Sequence, residues 1–284
     1  RDFKFTSEFI DNPQVHNNIL STFEDKQRPN GQIPTAIGIW GSTPWHFADD
    51  ESTLLYVISA AELVKHDKNF LTPKRQDKLE AALGFIDKHA FDGRYVIPPG
   101  DRRGWVDAFI YPKSDINTHT QGLYALALMS LWQMGYASVP HGEAYVAKEA
   151  YRNMAKPHGY LPLSARFPEA IDATALYPEY LAITSFGENL LPDSIVKDTI
   201  NSLPWSNHGI KVLTASPKGD YFDPSNFTHD LLGQRYQKGD YQNGGVWPLW
   251  HNNALVVGRL HGVTVPQSFR DDVLRQVEVT HWPE

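Results

Sequence analysis

The chain has 284 residues, with 26 basic and 33 acidic side chains and a formal net charge of −7. No Lys/Arg-rich run is present, which argues against a nucleic-acid partner, and no apolar run approaches the ~18 residues of a membrane span. Cysteine is absent, which excludes disulfides, zinc thiolates and a cysteine nucleophile. These features favour a soluble protein, with a cytoplasmic location only slightly preferred, and they leave the oligomeric state open.

Helical patterns dominate the chain, and the spacing of apolar residues predicts about nine helices. The helix at 73–89 opens on Thr72, a favoured N-cap, with Pro73 in its first turn. The segment 118–134 is apolar nearly all round, which predicts a buried helix. The predicted helices cover residues 13–28, 50–65, 73–89, 118–134, 142–155, 173–186, 193–202, 245–260 and 267–281.

The predicted helices are joined by alternating short turns and long loops. Strand-like pieces occur only at 94–97 and 210–213. Long loops in a compact domain are usually functional, and here they hold most of the glycine, proline, tryptophan and aspartate. The pattern predicts an all-α stack of helix hairpins in a single domain over residues 1–284. The long loops are residues 28–48, 91–117, 156–172 and 203–243.

Two acidic residues far apart in the chain are candidate catalytic groups. Asp107 follows Trp105 by two residues, and a carboxyl group beside an indole is partly desolvated, which raises its pKa and suits a general acid. The alternative is a surface aspartate in a turn. Glu284, after Trp282 and Pro283, is a candidate base, although a chain terminus is usually mobile. Two separated carboxylates are what glycosidic cleavage requires.

Further polar clusters stand at predicted helix ends. The Asn243-Gly-Gly turn allows positive φ, its amides could bond sugar hydroxyls, and Trp247 could pack on a sugar ring. Asp50, in an acidic triplet after Trp45, could accept two sugar hydroxyls. Ordinary helix starts and N-caps are the alternatives for both clusters. Aromatic residues, 12% of the chain, suit a sugar site but equally suit a helical core.

The twelve histidines show no spacing of a helical zinc site, so no metal and no cofactor is expected. His46, His119 and His251 each lie near a predicted helix end. Such histidines could abstract and return a proton, as a sugar epimerase does. The sequence therefore leaves an epimerase open beside a hydrolase, together with a carbohydrate-binding protein that has no catalytic activity.

Several motifs in order resemble a group of glycoside hydrolases with an (α/α)6 barrel. The nearest in pattern are the amylo-alpha-1,6-glucosidase (glycogen debranching) type and the neutral/alkaline invertases. The resemblance runs from about residue 31 onward. The matching segments are Gly31-Gln-Ile-Pro34, the helix led by Asp50, Trp105-Val-Asp107, the helix from Gln121 to Leu128, Tyr241 to Trp250 with its Asn-Gly-Gly-x-Trp-Pro stretch, and Trp282-Pro-Glu284.

The resemblance implies an (α/α)6 toroid that hydrolyses an α-glucosidic or related bond with inversion. It implies that Asp107 is the general acid and Glu284 the second catalytic carboxylate. A full barrel needs twelve helices, so this chain is expected to be incomplete at both ends and part of a longer protein. The residues implied to bind the sugar are Trp45, Asp50, Trp105, Gln121, Asn243 and Trp247.

Overall fold

The computed structural model describes most of the chain and divides it into two compact units. Unit 1 consists of Arg1–Asp107 and Pro112–Tyr151, and unit 2 of Ala108–Tyr111 and Arg152–Glu284. The structure is mostly helical, as predicted for an all-α fold. The described residues are 12–35, 51–96, 108–112, 114–136, 138–206, 209–228 and 233–264.

Five α-helices begin among the described residues of unit 1, and side-chain caps mark the starts of the first and third. Asn12 Oδ1 accepts the N–H groups of Gln14 and Val15 at the start of the first helix. Thr72 Oγ1 accepts the N–H of Arg75 at the start of the third, as its sequence predicts. The helices are α1 (Pro13–Glu24), α2 (Glu51–His66), α3 (Pro73–Ile86), α4 (Thr118–Gln133) and α5 (His141–Asn153).

The core of unit 1 is formed by α2 and α4, which pack along each other. Both helices are buried on nearly all sides: α4 is buried from Thr118 to Leu131, and α2 is buried everywhere except Glu62, Lys65 and His66. Their first turns meet, because the side chains of Glu51 and His119 are hydrogen-bonded. The two helices are therefore parallel. The central position of α4 explains why its sequence is apolar on nearly all sides.

A buried ion pair links α1, α2 and α3. Arg75 Nε donates to Glu24 Oε1, and both side chains are only 2% exposed. Tyr56 Oη donates to the same carboxylate oxygen at 3.1 Å. Arg75 also donates to Asn17 Oδ1 at 2.9 Å and to the carbonyl of Phe70 at 3.0 Å. The guanidinium and carboxylate are thus compensated without water, as buried charges require.

A short β-hairpin lies between α3 and α4 in the sequence. Strand β1 (Ala90–Phe91) pairs antiparallel with β2 (Arg94–Tyr95) across the turn Asp92-Gly93. Both turn residues have positive φ, 51° and 70°, as a type I′ turn requires. A Cβ added to Gly93 would lie 2.4 Å from Val146 Cγ1. The hairpin tip therefore packs directly on α5.

Unit 2 contains three α-helices among its described residues and several very short strand pairs. The first, α6 (Tyr177–Leu181), is extended by a 3-10 turn at Ala173–Leu176 and a π turn at Ala182–Phe186, and ends at Gly187 with φ of 72°. The others are α7 (Asp193–Ser202) and α8 (Pro248–Leu260). Tyr177 and the fully buried Trp250 pack edge to face at 5.5 Å between α6 and α8.

Four strands of two residues each accompany these helices. Strand β3 (Ile171–Asp172) pairs antiparallel with β6 (Leu213–Thr214), and β4 (Trp205–Ser206) with β5 (Gly209–Ile210). An isolated antiparallel bridge joins Phe109 to Phe227. These pairs join segments of the long loops of unit 2 to one another.

Eight of the nine predicted helices are confirmed in existence and corrected at several ends. The helix predicted for 13–28 stops at Glu24, and the one predicted for 245–260 starts only at Pro248. The helix predicted for 173–186 is helical but irregular. The segment predicted for 267–281 lies outside the described residues. In the described part of the chain, no helix has the length and apolar character needed to cross a bilayer.

Candidate functional site

Three of the eight predicted site residues, Gln121, Asn243 and Trp247, belong to the described part of the chain. The others lie outside it, together with the alternative candidate His46. They are Trp45, Asp50, Trp105, Asp107 and Glu284. The described residues around these positions nevertheless define two candidate regions, one in each unit.

In unit 1, Gln121 is fully buried and its amide group is bonded to backbone on both sides. Its Oε1 accepts the N–H of Tyr95 at 2.8 Å, and its Nε2 donates to the carbonyls of Gly93 at 3.0 Å and Ala147 at 3.2 Å. These bonds use the polar atoms of the side chain. Gln121 therefore joins the β1–β2 hairpin to α4 and α5.

The first turns of α2 and α4 bring a carboxylate and an imidazole together. His119 Nε2 lies 3.0 Å from Glu51 Oε1, and the two side chains are 1% and 0% exposed. A carboxylate in the first turn of a helix is stabilised by the positive end of the helix dipole. Glu51 is the third member of the acidic triplet that contains Asp50. The residue directly after the predicted sugar-binding aspartate is therefore the first residue of α2.

Neighbouring groups in the same turns are capped locally. Asn117 Oδ1 accepts the N–H of Thr120 at 2.9 Å and its hydroxyl at 3.1 Å. Thr118 Oγ1 is buried, with no hydrogen-bond partner in the described ranges. The paired helix starts thus present a compact polar layer above an apolar core.

In unit 2, the loop from Tyr241 to Trp247 has the tight backbone that its glycines predict. Tyr241 and Gly244 have φ of 39° and 82°. A Cβ on Gly244 would lie 2.4 Å from Tyr221 Cε1, and one on Gly245 would lie 2.0 Å from the carbonyl oxygen of Tyr241. The fold therefore requires glycine at both positions.

The side chains of this loop divide between buried and exposed ones. Asn243 is fully buried and Nδ2 donates to the carbonyl of Phe222 at 3.3 Å, whereas Oδ1 has no hydrogen-bond partner among residues the structure describes. Trp247 is partly exposed and its ring contacts Tyr241 at 5.4 Å. Tyr241 stacks on Tyr236 at 5.0 Å. Three aromatic rings therefore form one continuous face beside the turn.

The loop also binds the segment that follows the predicted acid. Gln242 Oε1 accepts the N–H of Ala108 at 2.9 Å, and Gln242 is 1% exposed. Ala108 is the residue after Asp107. Its carbonyl accepts the N–H of Thr228 at 2.8 Å, so Ala108 is bonded on both sides. Gln242 was not singled out by sequence, although it lies inside the predicted turn.

The next residue fixes this segment by packing. Phe109 is 3% exposed and its ring makes edge contacts with four other aromatic rings at 4.9–5.5 Å. Aromatic pairs in this geometry stabilise beyond the area that they bury. The ring partners are Tyr111, Phe167, Phe222 and Phe227.

The remaining alternative candidate, His251, is buried in unit 2. It is 4% exposed and packs edge to face on Trp205 at 5.1 Å. A Cβ on Gly209 would lie 2.9 Å from its Nδ1. Both described histidines of the epimerase hypothesis, His119 and His251, are therefore enclosed by protein.

A third histidine, which the sequence did not single out, joins two acids in unit 2. His261 Nε2 lies 2.7 Å from Glu179 Oε1, and Nδ1 lies 2.8 Å from Asp193 Oδ1. The hydrogen bond to Glu179 raises the pKa of His261; Asp193 adds to this rise and burial opposes it. The other Glu179 oxygen accepts the N–H groups of Leu190 and Leu191. No sequence spacing signals this trio.

Across the described ranges, no group of three or more His, Cys, Asp or Glu side chains is arranged to hold a metal ion. Comparison with known proteins adds no family assignment. The chain matches no protein-family model, and a search of curated proteins gives no match.

Proposed function

We propose that this protein is an inverting glycoside hydrolase that cleaves an α-glucosidic or related bond, on an (α/α)6 toroid of helix hairpins. The observation that carries the proposal is the bond from Gln242 to Ala108. It joins the Asn-Gly-Gly turn to Ala108, which is 134 residues away in the sequence and directly follows Asp107. Sugar hydrolysis needs both an acid and a sugar-binding surface, and this bond supports the proposal that Asp107 and the turn serve one site.

The helices of unit 1 support the toroid. Inner helices of such a ring are covered on all sides and run parallel, as α2 and α4 do. Outer helices are amphipathic, and α3 buries Leu79, Leu83 and Ile86. It exposes Lys74, Asp77 and Glu80 on its other side. In this proposal the functional loops lie at the N-terminal ends of the inner helices. Asp50 directly precedes one of these ends, the start of α2.

The aromatic face of unit 2 supports a carbohydrate substrate. Tyr236, Tyr241 and Trp247 present contiguous rings, and Trp247 is partly exposed. Flat rings cover the apolar face of a pyranose, while hydroxyls bond to nearby amides and carboxylates. Gln121 and Asn243 are fully buried, so in this proposal they position the hairpin and the turn, and the exposed aromatic rings contact the sugar.

The proposed reaction is a direct displacement. Asp107 donates its proton to the leaving glycosidic oxygen, and Glu284 removes a proton from the water that attacks the opposite face of the sugar. The two carboxyl groups then lie roughly 6.5–9.5 Å apart, which leaves room for that water. Trp45, Asp50 and Trp105 complete the sugar site. A metal ion takes no part in this proposed reaction.

The experiment is Asp107→Asn in the full-length natural protein, assayed on α-linked glucosides and sucrose. We expect turnover to fall by about 100-fold or more, the contribution typical of general acid catalysis. Asp77→Asn, at an exposed position on α3, is the matched control and should keep full turnover. Equal turnover of Asp107→Asn and the parent would exclude Asp107 as the acid.

The stereochemistry of the first product tests the mechanism separately. Proton NMR of the fresh hydrolysate should show the β anomer from an α-linked substrate, since a single displacement inverts the anomeric carbon. Retention would reject the two-carboxylate inverting mechanism. An epimeric sugar with no hydrolysis would favour the epimerase, and saccharide binding without turnover would favour a carbohydrate-binding protein.

A further inference from the structure

Unit 1 contains a cavity of about 430 Å³ between the β1–β2 hairpin and the start of α5. This volume lies within the range of small-molecule sites. Its lining combines carboxylates with apolar side chains. The lining includes Asp87, Phe91, Asp92, Tyr124, Glu143 and Val146.

Tyr124, a core residue of α4, lines the cavity. It is 5% exposed and its ring packs on Tyr95 at 5.5 Å. Its hydroxyl forms no hydrogen bond with another residue that the structure describes. Burial, followed by the charges of Asp87 and Glu143, raises the pKa of Tyr124 to about 12. The hydroxyl therefore stays neutral and available beside two acids.

Among the residues that the structure describes, no cation pairs with the two main acids of the cavity. Neither Asp87 nor Glu143 forms a salt bridge with any of them. Partial burial, then repulsion from Glu143 and Glu80, raises the pKa of Asp87. Asp92 at the hairpin turn adds a third negative charge to the lining. An uncompensated cluster of this sign favours a positively charged ligand.

The apolar part of the lining specifies the rest of the ligand. Phe91 is 77% exposed at the cavity rim, and Val146 is 43% exposed on α5. An aliphatic chain would cover both, and a cationic head near the Phe91 ring gains a cation–π attraction. A bare metal ion fits poorly, since the described acids do not converge as a metal-binding group.

The hairpin wall of the cavity is held rigidly. Gln121 binds the backbone of Gly93 and Tyr95, and Gly93 packs against Val146. A rigid wall means that little conformational entropy is lost when a ligand enters. From these observations we propose that the cavity binds a small organic cation, a guanidinium or amine with a short aliphatic chain, through Asp87, Glu143 and the Tyr124 hydroxyl. This inference is independent of the proposed glycosidase activity.

Isothermal titration calorimetry on the intact protein tests the proposal, with n-butylguanidinium as the probe and neutral, nearly isosteric n-butylurea as its control. We expect n-butylguanidinium to bind with Kd below about 1 mM and n-butylurea to bind at least about tenfold more weakly. Equal affinity for the two would overturn the proposal, and so would no detectable binding of the cation. The peptide acetyl-Gly-Arg-Gly-amide separates sources: tighter binding than n-butylguanidinium indicates a protein side chain, and weaker binding a free small molecule.

Variants assign the binding to this cavity. Glu143→Gln and Tyr124→Phe should each weaken n-butylguanidinium about tenfold, the usual value of one hydrogen bond to a charged group. Tyr124→Phe deletes a hydroxyl that bonds to no described residue, so the variant should fold normally. Glu188→Gln, at an exposed acid in unit 2, removes the same charge and should leave the Kd unchanged. Equal affinity in all three variants and the parent would exclude the site.

Discussion

The ion pair between Arg75 and Glu24 gives the sharpest test of what stabilises unit 1. In Arg75→Met the hydrophobic volume is kept, but the Glu24 carboxylate, 2% exposed, is left with only Tyr56 as a hydrogen-bond donor among its described bonds. Removing one partner of a buried pair costs about 3–5 kcal/mol. This is a large fraction of the ~5–15 kcal/mol that stabilises a typical native protein.

The neighbouring residue provides a matched control. Lys74 Nζ lies 2.6 Å from Asp25 Oδ1. Lys74 and Asp25 directly adjoin Arg75 and Glu24 in the sequence, and they form a second ion pair between a base on α3 and an acid at the end of α1. Its side chains are 56% and 59% exposed, and water already solvates both charges. Lys74→Met should therefore leave stability unchanged within error. The comparison separates burial from charge.

Hydrogen exchange measured by mass spectrometry on peptides from α2 is the assay, because it reports local opening in one unit. Arg75→Met should accelerate exchange there by roughly a hundredfold to a few thousandfold. In Glu24→Gln/Arg75→Met the stranded charge is gone, so much of the loss should be recovered. Equal exchange rates in Arg75→Met and Lys74→Met would show that burial of the pair does not matter. A double variant that loses as much stability as Glu24→Gln and Arg75→Met lose together would show that no stranded charge is involved.

Three further predictions concern single positions. Because the pKa of His261 is raised in the folded state, its stabilising contribution is complete below the unfolded pKa of 6.5 and is lost as pH rises through the folded pKa. The difference in Tm between the parent and His261→Gln should therefore narrow from about pH 6 to about pH 9. A difference that widens over this range would contradict the pairing with Glu179. Gly84→Ala, on the exposed side of α3 where a Cβ meets nothing within 4 Å, should raise stability by about 0.5–1 kcal/mol in urea unfolding, and a loss would show a hidden contact. Gly245→Ala should lower stability by roughly 1–3 kcal/mol in the same assay, because its Cβ would collide with the carbonyl of Tyr241; unchanged stability would mean that the turn can move freely.

Most helices could be predicted because their signals are local. Thr72 and Pro73 mark the start of α3, and an apolar pattern on all sides identifies α4 as buried. The first helix ends earlier than predicted because the polar run after Glu24 leads into a turn in which Gly31 has φ of 94°. Local periodicity does not show where such a turn begins.

The strand pairs could not be predicted, because their partners are distant in the sequence. Ile171 and Asp172 pair with Thr214 and Leu213, and two-residue strands have no periodicity to detect. The irregular helix after residue 172 shows the same limit. Pro178 in the first turn of α6 is readable, but the π turn that follows depends on tertiary packing.

At the candidate sites, the sequence does not show which way the polar side chains face. The turn before α8 forms as its glycines predict. Gln121 and Asn243 were expected to meet a sugar, yet each side chain bonds backbone at least 21 residues away, at Gly93, Tyr95 and Ala147 or at Phe222. An amide side chain has the same sequence signature in either setting.

Residues 108–111 belong to unit 2, although the chain on both sides of them belongs to unit 1. Apart from the Tyr111 ring, their described hydrogen bonds and ring contacts come from residues 167–242, which are synthesised much later. A nascent chain that has emerged only as far as Tyr151 therefore lacks Phe167, Phe222 and Phe227, three of the four rings on which Phe109 packs. A premature stop near residue 151 would remove those rings, together with Gln242, from the stretch that follows Asp107 in the sequence.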